Sequence, residues 1–150
     1  MLRIKNWQDN FENNRTRDLK KMSWIPVPNK QDGDGYTVLV DHEDAAAHLG
    51  AWLAILQIAS KCDPRGTLVR GNGKPHTPQS LARISHLDAA ILQAAIARLL
   101  DEKIGWMEDI GDEAFMTIPH EGAVKPHEPA RKGRERKKGR EGKGKKGAIL

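Results

Sequence analysis

The chain contains a single cysteine, Cys62, among its 150 residues. One thiol excludes an intrachain disulfide and a zinc site built on cysteine ligands. No run approaches eighteen apolar residues, so the sequence offers no candidate transmembrane helix. The N-terminus lacks the apolar core of a signal peptide. These absences lead us to expect a cytoplasmic protein that does not enter a membrane.

Catalytic and cofactor motifs are also missing. The segment GNGK at 71–74 resembles a phosphate loop, but Leu68 stands where that motif needs its first glycine, and Pro75 follows the lysine. The segment DGDG at 32–35 resembles the start of a calcium loop, yet Tyr36 occupies the position of the third ligand. The sequence therefore predicts neither an enzyme nor a bound cofactor.

Candidate metal ligands and nucleophiles are few. The six histidines are spread along the chain without the spacing of metal ligands. Asp44 and His48 share a helix face at i, i+4, but two groups do not make a metal site. Cys62 has no base partner that the sequence identifies, so a nucleophilic role has no support. We therefore assign no catalytic residue and no metal ligand from the sequence.

Charge is distributed unevenly along the chain. From Lys125 onward there are 11 Lys/Arg and 3 Asp/Glu, whereas residues 1–124 hold 14 basic and 17 acidic residues. The high pI of about 9.4 therefore belongs to the C-terminal part, and its composition predicts a disordered basic tail over 120–150. This tail is either a solubilising terminus or an arm that binds nucleic acid electrostatically, and we favour the second interpretation.

The first half of the chain predicts an extension followed by a buried helix. Residues 1–35 are rich in turn-forming residues and predict an irregular extension that packs on the domain through scattered apolar anchors. Residues 36–40 are rich in branched side chains and predict a strand, with Asp41 as the cap of the following helix. The segment 43–61 is apolar on nearly all sides, which is typical of a central, buried helix. The expected anchors of the extension are Trp7, Phe11, Trp24, Ile25 and Val27.

The second half predicts a helix-turn-helix. Thr77 as cap and Pro78 at the first helical position favour a short helix over 78–84 that buries Leu81 and Ile84. A turn at 85–87 leads to Asp88 as the cap of a second helix. That helix is expected over 89–103, with one apolar stripe made of Ile91, Leu92, Ala95, Ile96, Leu99 and Leu100.

Short strands are expected around these two helices. A strand over 67–70 precedes them and is expected to pair with a later hairpin, or wing, made of strands 104–108 and 114–118. The predicted fold is α+β, mainly α: a winged helix-turn-helix over residues 36–119. The tip of the wing, residues 108–113, carries four acidic residues and no basic one, so it is not expected to grip DNA.

In a helix-turn-helix that binds DNA, the second helix lies in the major groove. Basic clusters beside it are candidates for phosphate contacts, and Gln93 is a candidate for pairing with adenine. The exposed face of this helix is rich in alanine and almost neutral, so it is equally suited to packing against another helix. The candidate DNA-binding residues are Arg15, Arg17, Lys20, Lys21, Arg65, Arg70, Lys74, Arg83, Ser85, His86, Gln93 and Arg98.

Four segments carry a resemblance to a known family: 3–30 (RIKNWQDNFENNRTRDLKKMSWIPVPNK), 32–40 (DGDGYTVLV), 51–61 (AWLAILQIASK) and 81–108 (LARISHLDAAILQAAIARLLDEKIGWME). Together they resemble the N-terminal winged-helix domain of phage replisome-organiser and primosome-type replication proteins. The resemblance covers about residues 3–108 and implies binding of origin DNA, with recruitment of helicase machinery usually carried by a further C-terminal domain. This chain has a basic tail at that place.

Two functions from different classes remain open at this stage. In the first, the chain is a DNA-binding protein of phage-type replication, an initiation or accessory factor that holds double-stranded DNA through phosphate contacts. In the second, it is a protein–protein interaction module, a homodimer or the partner of a replication protein, and only the tail binds nucleic acid.

Overall fold

A computed structural model describes residues 1–111, which contain five helices and a two-stranded sheet. In chain order the elements are β1 Leu2–Ile4, α1 Trp7–Phe11, α2 Asp34–Val40, α3 Ala45–Ala59, α4 Pro78–Ser85, α5 Ala89–Leu100 and β2 Met107–Asp109. This content confirms an α+β fold that is mainly α. None of the helices in this part of the chain is long and apolar enough to cross a membrane.

The helix α3 lies at the centre of the fold. It packs against α2, α4, α5 and β1, as its apolar sequence predicts. Its buried side chains include Trp52, whose ring lies 5.3 Å from that of Trp106 and 6.2 Å from that of Phe11, measured between ring centroids. One part of the prediction was wrong, because the apolar Leu53 is exposed, on the same side of the helix as the exposed polar Gln57. One narrow side of α3 is therefore exposed to solvent, and the rest of the helix is packed against other elements.

The segment 36–40 is helical, so the predicted strand was wrong. Its backbone forms the second part of α2, and Leu39 is fully buried in the core beside α3. Tertiary packing outweighs the β propensity of a branched run this short. Asp41 consequently ends α2, and Asp44 rather than Asp41 precedes the first turn of α3, without a side-chain capping bond.

The N-terminal extension is more regular than predicted, because it supplies a strand. β1 pairs antiparallel with β2, with Ile4 opposite Met107. On its other side, Arg3 forms a bridge with Thr67. Among the described residues the segment 67–70 therefore contacts β1 and not β2, whereas the predicted wing strand 114–118 lies outside them. Within residues 1–111 this segment forms only isolated bridges and no strand.

The rest of the extension is fastened at a few points. Trp7 and Phe11 are buried and stack on each other, whereas the expected anchors Trp24 and Val27 are exposed. Trp7 covers Gly66, where an added Cβ would lie 2.5 Å from the indole Cγ and where φ is +82°. Only glycine fits such a position without strain, so this contact fixes the path of the chain after α3.

The helix-turn-helix order is present and its caps are as predicted. The Thr77 hydroxyl accepts from the backbone N–H of Ser80, and the Ser80 hydroxyl accepts in return from that of Thr77. Asp88 Oδ1 accepts from the first amides of α5. The second helix ends at Leu100 rather than at residue 103.

Two apolar residues of these helices are more exposed than predicted. Ile84 is 53% exposed and Ile91 is 38% exposed. The helix α4 has only about two turns and turns Leu81 into the core, and Ile91 lies at the edge of the stripe on α5. The predicted strand 114–118 and the tail 120–150 lie outside the described residues. The winged-helix assignment therefore stays a prediction.

Candidate nucleic-acid interface

Two basic segments that lie far apart in the sequence meet across one cleft. Residues 17–22 form one wall, and residues 60–65, which follow α3, form the other. The cleft has a volume of about 970 Å³, and we call it the basic cleft. Its charged lining consists of five basic residues and two acidic ones: Arg17, Lys20, Lys21, Lys61, Arg65, Asp18 and Asp63.

Arg65 lines the cleft and also holds its two walls together. Its guanidinium Nη1 donates to Glu12 Oε1 at 3.1 Å and to the carbonyl oxygen of Thr16 at 3.0 Å. The side chains of Arg65 and Glu12 are 12% and 1% exposed. Glu12 also accepts from the indole N–H of Trp7. This buried pair fastens the first wall to the second, and we therefore take Arg65 as a positioning residue.

A tight turn precedes the first wall. Asn13 Oδ1 accepts from the backbone N–H groups of Arg15 and Thr16, and the Asn13 carbonyl accepts from the N–H of Arg17. An asparagine side chain that bonds backbone two or three residues on is a common turn device. The turn leaves the side chains of Arg15 and Arg17 exposed. The sequence predicted an irregular segment here, and the structure shows why its basic residues point outward.

Four cations of the basic cleft are free to bind a ligand. The side chains of Arg17, Lys20, Lys21 and Lys61 are exposed and take part in no hydrogen bond or ion pair within residues 1–111. Two exposed carboxylates, Asp18 and Asp63, oppose them only in part. Lysine and arginine in such an arrangement bind phosphate oxygens and carry no base preference of their own.

The other predicted basic residues lie on the path to α4. Arg70 is half-buried, and Lys74 is exposed on a tight turn in which the Arg70 amide donates to the Lys74 carbonyl at 2.8 Å. His76 follows, with its ring Nδ1 3.0 Å from the hydroxyl of Ser80. Burial and the nearby charge of Arg70 lower the pKa of His76. A neutral His76 adds no positive charge to this turn at pH 7.

The predicted residues of the helix-turn-helix divide into two groups. Arg83, His86 and Gln93 are exposed, and His86 has the left-handed φ of +59° that ends α4. Ser85 is engaged internally, since its hydroxyl donates to the carbonyl of Leu81. Arg98 is engaged as well.

The guanidinium of Arg98 donates to the carbonyl oxygens of Val38 and Leu39 at 2.6 and 3.3 Å. It therefore joins α5 to the end of α2 and is another positioning residue. The Nη2 atom of Arg98 is used in these two bonds and is not free for a phosphate. Arg65, Ser85 and Arg98 are thus each bonded within the protein, and DNA contact by these three and by the remaining candidates stays a prediction.

Sequence reasoning missed two features of this region. Lys61 lines the basic cleft, although it is not among the candidate DNA-binding residues that the sequence suggests. An exposed apolar surface also lies at the junction of α4 and α5, formed by Ile84, Leu87 and Ile91.

The thiol of Cys62 lies in the wall of the basic cleft. Burial raises the pKa of Cys62, and its Sγ donates to the carbonyl of Ile58 at 3.4 Å. A raised pKa lowers the fraction of reactive thiolate. The basic cleft is therefore suited to anion binding and not to thiol chemistry.

Comparison of the chain with protein-family models, with curated proteins and with solved structures gave no match.

Proposed function

We propose that this protein binds double-stranded DNA without catalysing a reaction, and that phosphates bind in the basic cleft. The observation that carries the proposal is the meeting of Arg17, Lys20 and Lys21 with Lys61 across that cleft, all exposed and without an internal partner. Clustering of lysine and arginine on one face is the electrostatic footprint expected of a nucleic-acid-binding surface.

The strength of this interaction comes from released counterions. Each phosphate that a lysine or arginine neutralises frees condensed cations from the duplex, so the binding constant falls as salt rises. The basic residues of the C-terminal segment add to the same term, since 11 Lys/Arg stand against three Asp/Glu from Lys125 onward. Such contacts supply affinity and orientation, and they do not select a sequence.

The exposed surface of α5 is expected to contribute less to DNA binding than the basic cleft. Gln93 is the one exposed residue there with the paired donor and acceptor that suit adenine. Its neighbours Ala90, Ala94 and Ala97 are exposed and offer no hydrogen bond. A role in phage-type DNA replication, as an initiation or accessory factor, rests on the family resemblance of residues 3–108.

A two-lysine variant tests the basic cleft. In Lys20→Ala/Lys61→Ala, one exposed cation is removed from each wall. We expect the affinity of the full chain for a labelled duplex to fall on the order of tenfold at about 50 mM salt, because two phosphate contacts are lost. Fluorescence anisotropy measures the change.

The matched control is Lys30→Ala/Lys103→Ala. It removes the same charge from two exposed lysines outside the basic cleft, and we expect less than a threefold effect. Equal losses in the two variants, or no duplex binding by the unaltered chain at this salt, would rule out the cleft as the binding site.

The apolar surface at the α4–α5 junction favours a second candidate function, self-association. Ile84, Leu87 and Ile91 are exposed within eight residues of each other, and exposed apolar patches commonly mark interaction sites. The small side chains of Ala90 and Ala94 next to them would let a second α5 approach closely. A dimer formed here would leave the basic cleft free.

Sedimentation of an Ile91→Asp variant tests this candidate. We expect the unaltered chain to show a concentration-dependent dimer that Ile91→Asp abolishes, while Lys103→Asp, an exposed change beyond the end of α5, leaves it intact. If the chain stays monomeric at all concentrations up to about 100 μM, any dimer is weaker than most specific complexes, and self-association is excluded.

A further inference from the structure

The connection between α2 and α3 brings three metal-binding side chains together. They are His42, Asp44 and His48, and one ligand atom from each lies within 4.8 Å of the other two. The ring centroids of the two histidines are 4.9 Å apart. The sequence revealed only the Asp44–His48 pair, because His42 lies before the helix and reaches the cluster through the turn at 41–44.

The state of His48 points to a missing ligand at this cluster. The residue is 2% exposed, and its Nδ1 is buried without a hydrogen-bond partner among the described residues. The remaining ring nitrogen makes no hydrogen bond within residues 1–111 either. Buried polar groups are normally satisfied, so an isolated imidazole calls for an unseen partner.

We propose that His42, Asp44 and His48 bind a divalent transition-metal ion, with zinc as the expected occupant. Two imidazoles and one carboxylate are a ligand set that zinc accepts, with water in the fourth position. Ligand atoms at about 2.0–2.1 Å from a tetrahedral zinc ion stand roughly 3.3 Å apart. The ligand atoms must therefore approach one another by at most about 1.5 Å, and His42 and Asp44, which are exposed, can rotate to do so.

A metal ion needs the lone pair of a neutral imidazole. Burial, followed by the charges of His42 and Arg98, lowers the pKa of His48, and Asp44 opposes that shift. Binding weakens as the pH falls and protons compete for the three ligands.

Two features of the cluster disfavour binding of a cation. The charge of Arg98 acts on His48, and the backbone N–H of Asp44 donates to Nδ1 of His42 at 3.0 Å. A neutral imidazole has one lone pair, so the ion competes with that N–H if it takes the same nitrogen. The carboxylates of Asp41 and Glu43, which flank His42 in the sequence, add negative charge to the segment and offset Arg98.

A bound ion would fasten the turn at 41–44 to the first turn of α3. Arg98 already joins α5 to the last residues of α2 at the beginning of this turn. The metal would therefore stabilise the junction of α2, α3 and α5. This role is independent of the basic cleft and of its DNA binding.

Titration of the full chain with zinc chloride by calorimetry tests the site. We expect one equivalent of zinc to bind with a dissociation constant in the micromolar range or below. The melting temperature should rise with zinc, because the ligand binds only the folded state. The variants His42→Gln and Asp44→Asn change exposed side chains and should each weaken binding at least tenfold while the metal-free chain melts as before.

The matched control is His86→Gln, which removes an exposed histidine outside the cluster and should leave the binding unchanged. A His48→Gln variant, checked for folding by circular dichroism, should lose binding as well. Cobalt titration gives a second readout, since a tetrahedral site with two imidazoles absorbs in the visible range. The absence of saturable binding, or equal weakening in His42→Gln and His86→Gln, would overturn the proposal.

Discussion

The basic cleft and the exposed surface of α4 and α5 present different chemistry to solvent. The cleft offers four exposed cations with no internal partner. The α4–α5 surface offers Gln93, several alanines and three exposed aliphatic side chains. The element order of a helix-turn-helix is present in the second region, but the charge that would hold a phosphate backbone is concentrated in the first.

This difference shows that local order and binding chemistry are separate properties of the chain. The caps and core positions of α4 and α5 establish the two helices, and none of those residues needs to face a ligand. The cations of the cleft, by contrast, depend on a long-range contact between Arg65 and the turn after α1. Function has to be argued from the site and not from the motif.

The largest effect is expected from Arg65→Ala, which breaks the link that builds the cleft. Glu12 would keep a buried carboxylate without its cation, and removing one partner of a buried pair costs about 3 kcal/mol. Urea denaturation measures the free energy of unfolding. Lys61→Ala, in the same wall but exposed, should change it by less than about 0.5 kcal/mol. Similar losses of unfolding free energy in the two variants would show that the buried pair of Arg65 and Glu12 does not stabilise the cleft.

The second-largest effect is expected from removal of the C-terminal segment. Ending the chain after Val124 removes 11 Lys/Arg and three Asp/Glu, and we expect duplex affinity at about 50 mM salt to fall 10- to 100-fold through lost counterion release. Because the cleft is expected to bind phosphates without the tail, Lys20→Ala/Lys61→Ala should lower the duplex affinity of the shortened chain further. If the shortened chain no longer responds to that change, the tail alone binds DNA.

The smallest effect is expected from Gln93→Ala on α5. One exposed amide on a neutral surface should change duplex affinity by less than about twofold, because the cleft and the C-terminal segment together supply most of the binding free energy. The measurement is anisotropy with several duplexes of different sequence. A tenfold loss confined to one sequence would mean that α5 reads bases, and it would reverse the ranking of the two surfaces.

The sequence predicted the features that local chemistry decides. Thr77 and Asp88 cap their helices because each side chain bonds an amide two or three residues away. The position of α3 followed from its apolar composition, since a helix with few polar positions has to be surrounded. These interactions lie within one segment, so they can be recognised without knowing the fold.

The remaining features depend on partners far away in the chain. The helix at 36–40 is stabilised by contact with α3 and by Arg98, about sixty residues later. Arg3 pairs with Glu108 across β1 and β2. The basic residues at 15–21 and at 61–74 were visible in the sequence, but the meeting of 17–21 with 61–65 across one cleft was not. Arg65 and Arg98 were predicted as phosphate contacts because a sequence shows their charge and not their buried carboxylate and carbonyl partners.

The salt dependence of duplex binding tests the central claim most directly. The logarithm of the binding constant is plotted against the logarithm of salt concentration for the full chain, for Lys20→Ala/Lys61→Ala and for the control Lys30→Ala/Lys103→Ala. Loss of two phosphate contacts should make the slope shallower by about 1.8 in the cleft variant and leave the control slope unchanged. Three identical slopes would contradict phosphate binding in the basic cleft.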